Sequence, residues 1–227
     1  TLMGTKYAHG KLISKSETLE AAGNWGDSGN EMLYSVTYNN GVSKYALRKI
    51  PYVPRVLDVS AGIGIPYSEF AVFNTDATLL ERAEAYALSG QYDKAVNDIN
   101  AELSVFTKKK TQLTRDEIVD FYGSLAYYTP TKPTPTKALN PLFTIEKTTQ
   151  EPLLQCILQL RRLLTMHEGF RLQDVKRYGI TMYRRQVDVQ SNVTAVTDSM
   201  KTGDPRLAIQ LPQDVISAGV TPNPRNK

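Results

Sequence analysis

A chain of 227 residues, 41% hydrophobic and 22% charged, has the composition of a folded globular protein and the length to bury a sizeable core, which excludes a disordered or peptide-sized scaffold. Its 27 Lys and Arg stand against 23 Asp and Glu and are interspersed along the chain; the one dense basic run, Lys108-Lys109-Lys110, reads as a solvated face beside a helix end, so nucleic acid is set aside. The single cysteine, Cys156, excludes an intrachain disulfide and a thiolate zinc cluster and is expected to pack as a small hydrophobe.

No apolar stretch approaches the roughly 20 residues that span a bilayer. Thr1-Leu2-Met3-Gly4 lacks a signal-peptide profile, so either the protein is cytoplasmic or its targeting segment lies upstream.

In chain order, Tyr34, Val36 and Tyr38 alternate before Asn39-Asn40-Gly41, and Tyr45 and Leu47 alternate after it, which predicts a β-hairpin over 31–49 turning at Asn40-Gly41. From Pro51 to Pro66, with Pro54, Gly62 and Gly64 between, the expectation is an irregular crossing segment. A helix begins near Asn74-Thr75-Asp76, runs through Leu79, Leu80, Ala83 and Tyr86, and stops at Gly90. A second, from about Tyr92, carries Ala95, Val96, Ile99 and Leu103 on one stripe, so 76–103 reads as a helical hairpin.

Thr114-x-x-Glu117 is a capping-box pattern that opens a third helix through Ile118, Phe121, Tyr122 and Leu125. Thr129 to Pro135, with three prolines, reads as an extended surface loop. Thr148-x-x-Glu151 is a second capping-box pattern, with Pro152 in the first turn; the helix it opens has the widest apolar face, from Leu153 to Leu164, and is expected at the centre of the core. Gly169 breaks or closes it before a short segment ending at Gly179. Tyr183–Val189 and Arg206–Leu211 read as two short strands or extended arms, and Pro212 to Ile216 as a terminal helical turn stopped by Gly219.

The fold class is therefore mostly α: a helical hairpin packed with further helices, long irregular loops and a small β-hairpin. Residues 1–72 form a loop-rich, ligand-facing segment and residues 73–227 a helical region.

Leu79 to Val96 carries small residues at Ala83 and Ala95, aromatics at Tyr86 and Tyr92, and Gly90 between them, the tetratricopeptide pattern, in which small residues let two helices approach and the tyrosines fill the wedge. No second copy occurs. It is followed by "LLQCILQLRRLLTMHEGFRLQDVKRYG" and then by "DPRLAIQLPQDVISAGVTPNP". In that order the three segments resemble the carboxy-terminal region of the SusD/RagB family. There a helix ending in arginine and a Glu-Gly-x-Arg turn lead into Asp-x-x-Arg-x-Gly, here Glu168-Gly169-Phe170-Arg171 and Asp174 to Gly179, and the chain closes on an Asn-Pro tail, here Asn223-Pro224. Leu172-Gln173 departs from relatives that have an aromatic after the arginine.

The resemblance runs from Phe73 to Asn223 and implies a SusD-like fold whose amino-terminal part, with more tetratricopeptide helices, is absent here. It further implies an outer-membrane, cell-surface location through a lipid anchor absent from this chain, non-catalytic binding of a glycan, and delivery to a SusC-like TonB-dependent transporter. The alternatives are a peptide-binding member of the family and a cytoplasmic tetratricopeptide scaffold that binds peptides.

Glu168, Arg171, Asp174 and Arg177 fall at three-residue spacing, where a helix would pair acids with arginines. A glycosidase would use Glu168 and Asp174 as its carboxylates, but interleaved arginines favour two ionised acids in a structural network. His167 has no second histidine at ligand spacing, Gly62-x-Gly64 lacks the context of a dinucleotide loop, and no nucleophile elbow occurs, so neither metal nor cofactor is expected.

Sugar recognition uses aromatic faces with polar rims. The candidates are Trp25, in the loop Gly23 to Gly29 with Asn24 and Asp27 beside it, where it is either an exposed platform or a loop anchor, and, second to it, the pair Tyr127 and Tyr128 before the proline-rich loop, for which core or helix-end packing is the favoured reading.

Overall fold

The computed structural model describes residues 11–18, 21–26, 35–39, 43–47, 52–68, 72–166 and 168–225. Among them the chain is mostly helical, with six strands paired as three two-stranded antiparallel ribbons. No helix there is long and apolar enough to cross a membrane.

Helix α1 spans Lys11–Glu17. Strands β1 (Ser35–Asn39) and β2 (Ser43–Leu47) pair antiparallel, as the alternation predicts; the turn at Asn40-Gly41 lies outside the described residues. The segment expected to be irregular is instead a second hairpin, β3 (Tyr52–Asp58) with β4 (Ile63–Ser68), in which Pro54 sits opposite Pro66. A two-stranded ribbon has two outer edges, and an outward-facing position needs no N–H, so prolines that would break a central strand are tolerated. Asp58 turns the chain by accepting from the Ser60 and Ala61 amides at 2.8 and 3.0 Å.

Helices α2 (Thr75–Leu88) and α3 (Tyr92–Phe106) form the predicted hairpin. The Asn74 side chain accepts from the Ala77 amide at 2.8 Å, and the chain reverses at Gly90 with φ +75°. Ala83, Ala87 and Ala95 are fully buried, Tyr86 and Tyr92 pack against the core, and Arg82 reaches across to Asp98 at 2.8 Å. Helix α4 (Arg115–Ser124) carries the capping box read from Thr114 and Glu117.

Helix α5 (Gln150–Leu164) is the centre of the fold, with every residue except Arg162 buried. Its second capping box does not form. Thr149 is the N-cap residue and makes no side-chain cap bond; the carboxylate of Glu146 caps the helix, accepting from the Thr148, Thr149 and Gln150 amides at 2.5, 2.8 and 3.1 Å. With the helix starting at Gln150, Glu151 is its second residue, one position short of the reciprocal bond a capping box needs. The Thr148 hydroxyl and these amides hold the Glu146 carboxyl down at about 2. Cys156 is buried on this helix, and burial pushes its thiol up to about 12.

Helix α6 (Arg171–Arg177) follows Gly169 and is capped by Tyr178, with Gly179 next in the chain. Gly179 has φ +58°, and a Cβ there would lie 2.2 Å from the Asn140 carbonyl oxygen, so only glycine fits. Strand β5 (Met182–Val187) matches the first predicted arm and pairs with β6 (Val193–Met200); the second predicted arm, Arg206–Leu211, is not a strand. The latter region opens as a 3-10 turn, Pro205–Leu207, because Pro205 fixes a helical φ and the Asp204 side chain accepts from the Arg206 amide. Helix α7 (Gln213–Ser217) is the terminal turn.

Residues 11–18 and 21–26 are tied to the helical region. Gln159 Nε2 donates to the Ala22 carbonyl at 3.1 Å, Thr111 Oγ1 donates to the Trp25 carbonyl at 2.9 Å, and Glu17 is paired with Lys137 and Arg162.

Candidate binding site

Trp25 is not a platform. It is 1% exposed and belongs to the main hydrophobic cluster with α2, α3 and α5. The loop closes tightly, Gly26 N–H on the Gly23 carbonyl at 3.2 Å, and the indole folds under it: a Cβ on Gly23 would lie 2.3 Å from the ring. Glycine in this loop, which reads as flexibility, is what lets the backbone sit on the ring. Asn24 is half-buried, with Nδ2 lacking a hydrogen-bond partner among the described residues, and Asp27 lies outside them.

Of the charged set only Arg171 and Asp174 pair along one helix, three residues apart on α6; the closer bonds run between elements. Asp174 and Glu84 are bridged by Arg161 of α5 at 2.5 and 2.6 Å, and Glu84 also accepts from Arg177 Nε at 2.6 Å and the Tyr178 hydroxyl at 2.7 Å. Arg171 meets Asp174 at 3.5 Å. Glu168 precedes α6, outside this set. Burial raises the Glu84 carboxyl, but Arg161, with Tyr178 and Arg177, outweighs it and holds the group below its ordinary value. A hollow of about 360 Å³ opens over these residues. Each carboxylate is held by at least two donors. Among the described residues no group of His, Cys, Asp or Glu is placed to hold a metal ion.

Tyr127 and Tyr128 lead to a different place. Tyr127 is 47% exposed, and its hydroxyl donates to Glu151 Oε1 at 2.8 Å. Tyr128 enters a cleft of about 190 Å³ between α1, α5, α6 and β5. Its ring stacks on Tyr183, centroids 5.5 Å apart and planes 28° from parallel. Arg185 lies 4.6 Å and Lys137 Nζ 3.8 Å from its centre.

The loop is rigidly placed. The Tyr128 amide donates to Thr136 O at 2.8 Å, and Gln155 of α5 clamps Lys137 from both sides, accepting from its N–H at 3.0 Å and donating to its carbonyl at 2.6 Å. Arg185 donates to the Pro130 and Thr129 carbonyls at 2.6 and 2.9 Å.

At the floor, Glu17 takes Lys137 Nζ at 2.7 Å and Arg162 at 2.5 Å. Burial raises its carboxyl, and the charges of Arg162 and Lys137 more than reverse that, holding it below its ordinary value. The cleft's volume falls below the roughly 300 Å³ at which ligand pockets begin, so it admits one ring or one substituent of a longer ligand.

Sequence reasoning found Tyr128 and missed Glu17, Lys137, Arg162, Tyr183 and Arg185 as its companions. Tyr183 and Arg185 were within reach: two residues apart on a strand they share a face, and they are the less exposed positions of β5. No family model, curated protein or solved structure matches the chain.

Proposed function

We propose that the chain is the carboxy-terminal part of a SusD/RagB-like protein, which captures a glycan at the outer-membrane surface without turning it over and passes it to a SusC-like TonB-dependent transporter. The observation that carries the reading is the ion network. Glu84 belongs to the tetratricopeptide-like segment, Arg161 to the long apolar helix, and Asp174, Arg177 and Tyr178 to the Asp-x-x-Arg-x-Gly segment, so the first two of the three segments that carry the resemblance are bonded to each other. The α2–α3 hairpin takes the place of a tetratricopeptide unit in this reading, with α5 supplying the packing partner that a lone repeat needs.

The site that fits capture is the cleft at Tyr128 and Tyr183, flanked by the exposed Tyr127, which offers aromatic surface, fixed donors and little enclosed volume. Such a surface holds a sugar by its C–H face and its rim groups. Screening the full-length protein and its Tyr127→Ala and Tyr183→Ala variants on glycan and peptide arrays tests this. Selective glycan binding, weakened about tenfold or more in either variant by loss of an aromatic contact, is the expected result. Peptide capture with no glycan bound would move the protein to a peptide-binding role, and glycan hydrolysis by pure protein would end the non-catalytic reading.

A further inference from the structure

The cleft and the adjoining ion network hold more positive than negative charge. Lys137, Arg162, Arg171 and Arg185 line the cleft; Arg161 and Arg177 stand behind it. Among the described residues five of these six cations, all but Arg185, meet three carboxylates, Glu17, Glu84 and Asp174. Arg161 lies close between Glu84 and Asp174, and Glu17 is shared by Lys137 and Arg162.

That leaves Arg171 with a single 3.5 Å contact to a carboxylate already committed to Arg161, and Arg185 with two backbone carbonyls and the rings of Tyr128 and Tyr183 but no carboxylate among the described residues. The Arg171 side chain keeps 24% of its surface and the Arg162 side chain 19%, so both guanidinium groups reach the cleft. Burial, and then the like charge of Arg162, draw Arg171 down to about 10. The buried groups, Lys137 and Arg161 with Glu17, Glu84 and Asp174, carry no positive excess; the excess sits on the part-exposed arginines at the cleft, where an anion can reach it.

We propose that this cleft receives an anionic substituent, a carboxylate or a sulfate, carried on a sugar ring: the glycan taken by the protein is an acidic one. The inference rests on the saccharide-binding reading above. Planar guanidinium forks suit both anions. The tyrosines at the cleft favour a ring-bearing ligand over a bare ion.

Calorimetric titration of the full chain with tri-galacturonate, a sulfated galactose disaccharide, maltotriose and penta-aspartate tests the assignment, in wild type and in Arg171→Gln. Asp174 keeps its Arg161 partner in that variant, and an unchanged melting temperature shows that the fold is retained; Arg185→Gln serves as the second variant.

One of the two acidic saccharides is expected to bind about ten to a hundred times more tightly than maltotriose, the worth of a charged hydrogen-bonded pair. Most of that advantage should be lost in Arg171→Gln or in high salt, and the preferred saccharide tells carboxylate from sulfate. Equal binding of maltotriose, indifferent to the arginines, would overturn the acidic assignment and leave glycan capture standing. Penta-aspartate binding as tightly as the saccharides, with the same arginine dependence, would overturn the sugar assignment. Binding of none of the saccharides would remove the glycan reading itself.

Discussion

Replacing Arg161 by methionine is expected to lower stability by about 3–5 kcal/mol at neutral pH, the cost of leaving buried charges without their partner. Arg161 is 6% exposed and holds both Glu84 and Asp174. Without it Glu84 retains Arg177 and Tyr178, while Asp174 retains only Arg171 at 3.5 Å. Urea unfolding measures the loss, and the triple change Glu84→Gln, Arg161→Met, Asp174→Asn should recover much of it, because no charge is then stranded.

The pH dependence has a definite sign. The wild-type Glu84 carboxyl is held below its ordinary 4.5, so its contribution is fully present above that value and is lost as pH falls through the lower folded pKa. In the variant the carboxyl is raised instead, its destabilising charge is relieved by protonation, and the gap to wild type narrows as the solution is acidified. An Arg161→Met protein within about 0.5 kcal/mol of wild type, the range of ordinary surface changes, would show that the network does not hold α2, α5 and α6 together.

Trp25→Ala should cost about 3–5 kcal/mol, the usual range for emptying a buried aromatic site. The ring is fully enclosed by the central cluster, so the loss reflects a cavity and not a missing ligand contact. Gly23→Ala should cost about 1–3 kcal/mol by overpacking, since its new methyl group would fall 2.3 Å from the indole. Trp25 is the chain's only tryptophan, which gives a direct readout: native fluorescence is expected to be blue-shifted and to move to the red only on unfolding. A native emission maximum at the solvent-exposed position, with Trp25→Ala as stable as wild type, would return Trp25 to the surface.

The parts of this fold that were legible in the sequence are those whose causes are local. The capping box at Thr114 and Glu117 is a reciprocal bond over three residues, and the α2–α3 hairpin is written in Ala83, Gly90 and Ala95. The cap of α5 was misassigned because two acids compete for it, and the helix start, which decides between Glu146 and Glu151, is not a pattern. Pro54 and Pro66 argued against strands only if those strands were central. Trp25 was undecidable from its loop, since glycine permits both an exposed turn and a backbone seated on a ring. The cleft was least legible: Glu17 and Lys137 are 120 positions apart, and no local pattern announces an ion pair closed by the tertiary fold.

Hydrogen exchange of the full chain with and without tri-galacturonate, or whichever saccharide the array selects, tests the central claim most directly, that a saccharide is held at the Tyr128 cleft. Protection is predicted in residues 126–137 and 180–187, where the loop and β5 carry Tyr128, Lys137, Tyr183 and Arg185, with little change along α2 and α3. Protection confined to the α2–α3 hairpin, with the cleft segments exchanging as in the free protein, would contradict it.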